Sequence, residues 1–366
     1  MKVLHINVNY TTNVLHSNMV KYLEKYGMEN SVFVPVAFSS SYKTDDNGVN
    51  VIKCFNKLDK INYYSKQKKI LATAEKNFKV DEFDVLHSYT VFTDGNIAYQ
   101  LHKKYGVPYV VAVRNTDVNT FFKYMPHLRN RGVEILKNAR AVFFLSQKYK
   151  ERTFSKYIPK ELHKEIENKT YIQPNGIDPY WLDNIYNKAE TTENTVKVVS
   201  AGGIDKNKNM AVIAEALSLL EKEGKRVSLD IAGGIKDNNE AEKLKKYSFV
   251  KLHGKLNKTE LSELYRKCDV FALASFTETF GMVYIEAMSQ HLPVIYTKNE
   301  GFDGQFPEGE VGFHVNPSDP NEIAVKISEA YEKRIEIGER CVSAVRKFNW
   351  DAITQKYSEI YSEIIR

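Results

Sequence analysis

The sequence predicts an α/β protein made of two doubly wound parallel sheets. Three observations carry this. Short apolar runs alternate with helical patterns from end to end, the rhythm of βαβ units that cover a parallel sheet with helices. A polar, apolar-poor segment over residues 183–194 interrupts the rhythm, which then restarts. The length, 366 residues, suits two domains.

In order, residues 3–8 read as a strand, 14–26 as a helix closed by Gly27, and 31–36 as the next strand. Residues 37–80 break the pattern, with loop chemistry at 39–41 and 45–48, a short strand at 51–55 and a Lys/Tyr-rich helix over 62–78. Strands follow at 84–88, 108–113 and 141–145, with a helix over 95–105 closed by Gly106. Residues 171–178 form a strand and a turn. After the interruption come strands at 196–201, 227–232, 249–252, 270–274, 292–297 and 312–315. Helices are expected over 210–223, 259–267 and 321–334. In the tail, Ile353, Tyr357, Ile360, Tyr361 and Ile364 fall on one helical face.

Composition narrows the function classes. No apolar run is long enough to span a bilayer, and the N-terminus enters a strand without a signal-peptide layout. The three cysteines, Cys54, Cys268 and Cys341, are far apart and in no metal-ligand spacing, which fits a reducing cytoplasm. Net charge is +6, unevenly spread: residues 1–180 carry +10 and the remainder −4. A basic first half suits an anionic lipid surface or an acidic acceptor, and equally a solvated surface. No nucleic-acid recognition motif accompanies the charge.

Candidate chemistry concentrates in residues 275–288. A buried strand ends, a loop presents Glu278, Gly281 follows, and a helix carries Glu286 about two turns on. Free N–H groups at a helix start attract anions, and flanking carboxylates suit hydroxyls, so the stretch fits a nucleotide sugar. Helix capping by carboxylates is the competing reading. Lys206 and Lys208, in the turn after Gly202-Gly203, can meet a phosphate, and His253 stands at another strand end. In open α/β sheets ligands bind beyond the strand C-termini. That rule makes His87, Arg114, Asn115, Asp117 and Ser146 candidates for a second rim, although each residue type is also common in caps and turns.

These residues resemble the retaining family 4 glycosyltransferases. The resemblance rests on Glu278-Thr279-Phe280-Gly281 with Glu286 seven residues further, on Pro293-Val294-Ile295, on Asn175-Gly176-Ile177-Asp178 and on the loop and helix from Gly202. It implies a GT-B fold: an N-terminal acceptor domain over 1–180, a C-terminal donor domain over 195–348, a cleft between them, and a last helix, 349–366, returning to the first domain. It implies a nucleotide-sugar donor of UDP or GDP type and a glycan or lipid-linked acceptor. It implies no cofactor and no metal. The cysteine usage adds the expectation of a cytoplasmic enzyme, and the basic domain that of peripheral contact at the inner membrane face. By the same likeness, Gly203, Lys206, Lys208, His253, Glu278, Thr279, Phe280, Gly281, Met282, Val283 and Glu286 bind the donor. Tyr10, Thr11, His87, Arg114 and Asn115 are the acceptor-side residues, and Glu278, Lys208, Arg114 and Asp117 the catalytic set. The chain departs from the family pattern at Gly203, where an arginine is usual and Lys206 is the nearest replacement. It departs again at Tyr10-Thr11-Thr12 and at Arg114-Asn115. A sugar phosphorylase, a nucleotide-sugar epimerase or a silent scaffold of the same fold are the alternatives.

Overall fold

The computed structural model describes every residue except 11–13, 45, 190–193 and 366. The chain divides into two units, Met1–Gly176 with Trp350–Arg366, and Ile177–Asn349. The first contains strands β1 (Lys2–Ile6), β2 (Glu29–Ala37), β3 (Val49–Phe55), β4 (Val85–Ser88), β5 (Tyr109–Val113), β6 (Ala141–Phe144) and β7 (Thr170–Ile172). They form a parallel sheet in the order β3-β2-β1-β4-β5-β6-β7. The second contains β8 (Thr195–Ala201), β9 (Arg226–Ala232), β10 (Val250–Gly254), β11 (Val270–Ala272), β12 (Val294–Thr297) and β13 (Gly312–Val315). Its parallel order is β10-β9-β8-β11-β12-β13. In each unit the order reverses beside the first strand, which creates a switch point where the loops after two neighbouring strands diverge.

Continuous apolar runs become central strands because helices cover both faces of the sheet. Every residue of β5 and of β11 is buried. One face of the first sheet packs Phe33, Leu86, Val111 and Phe144 under helices. The other packs Val3, Val85, Val110 and Phe143 against the terminal helix Trp350–Ile364. That helix buries Ile353, Tyr357, Ile360 and Tyr361, the face expected from their spacing.

The unit boundary differs from the expected one. It falls between Gly176 and Ile177, not within 183–194. A short helix, Pro179–Asp183, buries Trp181 against Tyr265, with ring centroids 5.9 Å apart, and Tyr180 bonds Ser262 at 3.0 Å. Lys188, inside the polar segment, forms a buried ion pair with Asp269 at 2.7 Å. The segment is polar because it exchanges specific bonds with the second unit. At Gly176 the Trp350 ring comes within 2.4 Å of where a Cβ would stand, so the two stretches of the first unit close on a residue with no side chain.

Residues 37–80 break the rhythm less than expected, since β3 extends the parallel sheet and a helix follows over Tyr63–Asn77. The helix expected over 321–334 is Pro320–Glu332, and Arg334–Ala344, Arg129–Asn138 and Gln147–Tyr157 are further helices that were not anticipated. Among the described residues no helix is long and apolar enough to cross a membrane.

Candidate active site

Two loops diverge at the switch point of the second unit, 202–209 after β8 and 273–281 after β11. Asn207 staples them. Its Oδ1 accepts from the Thr277 N–H and hydroxyl, its Nδ2 donates to the Thr277 carbonyl, and its own carbonyl accepts the Phe276 N–H. Asn209 takes a left-handed φ of 51°, which asparagine tolerates better than most residues, and bonds the carbonyls of Ala274 and Pro317. Lys208 lies between these two anchors, and its Nζ sits 2.6 Å from Glu278 Oε2. The pair is mostly sheltered, at 22% and 16% side-chain exposure.

Glu278 is held at every backbone group. Its N–H donates to Glu300 Oε2 at 2.8 Å and its carbonyl accepts the Gly301 N–H at 2.6 Å. Gly301 is obligatory by contact: a Cβ there would stand 1.8 Å from the Thr279 carbonyl oxygen. Phe280 is buried against Phe348, so only its backbone is available to a ligand. Gly281, at φ 80°, ends the loop and starts the helix Met282–Met288. That helix has seven residues, too short to present a strong dipole, so Lys208 becomes the principal positive group of the site.

Glu286 is half-buried, and no group among the described residues hydrogen-bonds its carboxylate. Burial, with a smaller contribution from Asp178 and opposition from Lys258, pushes its pKa up to about 7. A cavity of about 450 Å³ opens between the loops after β8 and β9, lined by Gly203, Gly234, Lys236, Lys255, Leu261 and Val283 among others. A larger one, about 580 Å³, lies between the outer helices Met210–Lys222 and Pro320–Glu332 and gathers no residues from strand ends.

Other expected residues stand differently. His253 is turned to Asp230, 2.6 Å from Nε2, and does not line the cavity. Lys206 is exposed and bonds nothing among the described residues. In the first unit Asp117 is fully buried. Its Oδ1 accepts the N–H groups of Val91 and Phe92 and its Oδ2 that of Arg114, so it is a backbone bracket with no face for a substrate. Burial outweighs these bonds and raises its pKa to about 6. His87 is likewise fully buried, stacked on Tyr89 at 4.3 Å and hydrogen-bonded through Nδ1 to the Tyr361 hydroxyl. Tyr10 packs with Val20, Val32 and Val34, and Ser146 caps the helix Gln147–Tyr157. Arg114 reaches the Tyr89 carbonyl and Asn175 Oδ1, which joins the end of β5 to the chain beyond β7. Asn115 alone of this group is exposed, and Thr11 lies outside the described residues. Sequence reasoning missed Asn207, Asn209, Glu300, Lys236 and Lys255. The first two stood in the glycine-rich turn already singled out; the others act across loops distant in sequence.

Two doubly wound parallel units are the GT-B fold, shared with solved glycosyltransferase structures. Residues 183–348 match the model of the family Glycosyl transferases group 1. An uncharacterized glycosyltransferase, MJ1178, of Methanocaldococcus jannaschii is 23% identical over 298 residues, 77% of this chain and 76% of that protein. A probable sucrose-phosphate synthase of Thermosipho melanesiensis is 26% identical over 61% of this chain, and the match spans only 54% of its length. The crystal structure of Anabaena Alr3699/HepE in complex with UDP and glucose superposes with a TM-score of 0.71 at 19% identity, covering 99% of this chain and all of that one.

Proposed function

We propose that the chain is a retaining glycosyltransferase whose second unit holds a nucleotide-sugar donor, of the UDP-sugar kind that the HepE complex suggests. The observation that carries this is the Lys208–Glu278 pair at the switch point. A donor diphosphate takes Lys208, and the released carboxylate accepts hydrogen bonds from sugar hydroxyls. Glu286, with no partner for its carboxylate among the described residues, accepts from the ribose. The anomeric carbon–oxygen bond to the diphosphate breaks as the acceptor oxygen bonds the same carbon from the same face. The acceptor proton passes to the departing diphosphate oxygen, whose charge Lys208 stabilises. In this reading no metal is required, and transfer should continue in the presence of a chelator.

Glu278→Gln separates the two roles. It should leave nucleoside diphosphate affinity, by calorimetry, within about threefold of wild type or tighter, while transfer falls roughly 10²-fold. Undiminished transfer would remove Glu278 from the mechanism. An α-linked donor should yield an α-linked product by NMR, and a β-linked product would overturn retention.

On the first unit we place a glycan or lipid-linked acceptor, such as a growing surface polysaccharide, presented at the inner membrane face. The support is a cavity of about 700 Å³ lined by Ile61, Tyr64, Phe121, Met125 and His127, with Ile61 at 85% and nearby Leu58 at 77% exposure. Exposed Lys68 and Lys123 flank these segments. Apolar side chains flanked by lysines suit an anionic interface. Ile61→Asp with Tyr64→Asp should cut co-sedimentation with phosphatidylglycerol vesicles at least about fivefold, and equal binding would refute the membrane reading.

A further inference from the structure

We infer that Lys236, from the loop after β9, is the second cation for the donor diphosphate and occupies the place of the side chain that Gly203 lacks. The inference rests on the donor-site reading above. The backbone sets the position. The Ile204 N–H donates to the Gly234 carbonyl, and the Ile204 carbonyl accepts from both Lys236 and Asp237, all at 3.0 Å. These bonds, with the parallel bridge between Ile204 and Ile235, zip the two loops together beyond the sheet. The loops run so close that a Cβ on Gly233 would stand 1.7 Å from the Gly202 carbonyl oxygen.

Lys236 therefore starts beside Gly203 and lies across it. A Cβ at Gly203 would meet its Cε at 2.4 Å and its Nζ at 2.8 Å, so the lysine stem fills the volume of a Gly203 side chain. Lys236 lines the same cavity as Gly202 and Gly203. Lys208 lies over Gly202, its Cε 3.5 Å from a Cβ placed there, so two cations share one glycine floor.

Asp205 serves both lysines. Its Oδ1 accepts the Lys208 backbone N–H at 2.9 Å, and its Oδ2 stands 3.5 Å from Lys236 Nζ. The second contact is long and the Lys236 side chain is 66% exposed, so the pair is weak and yields readily to a phosphate. Asp205 parks the ammonium next to the site without neutralising it firmly. Lys206, in the same loop, has no such anchor.

The test is calorimetry with whichever of UDP, GDP and ADP the wild-type chain binds most tightly, alongside the matching nucleoside. Lys236→Ala should weaken the diphosphate roughly tenfold, a step expected for one charge-assisted contact, and leave the nucleoside unchanged. Its melting temperature should stay at the wild-type value. Gly203 does not sit at positive φ, so an arginine is sterically admissible there once Lys236 is shortened. The double variant Gly203→Arg with Lys236→Ala should recover most of the lost affinity. Unchanged diphosphate affinity in Lys236→Ala overturns the inference, as does an equal loss for the nucleoside. A folded double variant with no recovery overturns the claim that the lysine stands in for the missing side chain. If the wild-type chain binds none of the three diphosphates, it is the donor-site reading that fails.

Discussion

Lys208→Ala is expected to lower the rate of sugar transfer by about 10²- to 10³-fold, the usual cost of removing one preorganised group that stabilises developing charge. Three features make this the largest single-residue effect on chemistry. The helix Met282–Met288 is too short to replace the charge. The neighbouring lysines are exposed, whereas Lys208 is fixed by Asn207 and Asn209 on either side. Its ammonium already stands in the sheltered corner where Glu278 lies, 2.6 Å away. The variant leaves Glu278 without its ion-pair partner, so some stability is lost as well, on the order of 1–3 kcal/mol for a pair this sheltered. Circular dichroism and a melting curve separate that loss from catalysis. Lys208→Arg should recover part of the rate, because charge is kept while geometry changes. Transfer within twofold of wild type in Lys208→Ala would remove this residue from the mechanism.

The sequence made one half of the candidate site legible and concealed the other for a definable reason. Glu278 could be found because it follows β11, a fully buried strand that shows as an unbroken apolar run, and Lys208 because it follows β8, whose last four residues are buried. The β5 strand was equally clear, yet the polar residues beyond it misled. Asp117 reads as a rim residue by position but turns inward, because the N–H groups of Val91 and Phe92 need an acceptor there. Nothing in a single sequence reveals that demand, which arises from a loop 25 residues away. Lys236 was hidden for a related reason. Its role depends on the pairing of Ile204 with Ile235, a contact between loops. The polar stretch before β8 looked like a linker because composition does not distinguish a solvated charge from Lys188 buried on Asp269.

The first unit should lose stability steadily as pH falls from 6 to 5, and one buried histidine should account for the whole net slope. His5, His16 and His87 are buried, and burial holds their pKa values down, to about 4 for His5 and about 3 for His16. Asp94 and Asp117 are buried too, and burial lifts them to about 7 and about 6. Between pH 5 and 6 the unfolded chain carries protons on the three histidines that the folded unit refuses. The folded unit keeps protons on the two aspartates that the unfolded chain has released. The unfolded state therefore binds about one proton more, and stability rises with pH by roughly 1.4 kcal/mol per unit. Near pH 7 the two effects cancel and the slope vanishes. His16 is the residue to remove. Its Nδ1 has no partner among the described residues and its ring meets Tyr89 edge-on at 4.9 Å, so His16→Phe keeps the aromatic contact and deletes one titrating group. Its slope between pH 5 and 6 should fall to about zero. The chain has two tryptophans, and Trp350 belongs to this unit whereas Trp181 belongs to the other. Urea unfolding followed by Trp350 fluorescence in a Trp181→Phe background therefore reports the first unit alone. Equal slopes with and without His16 would show that the buried histidines do not govern its acid stability.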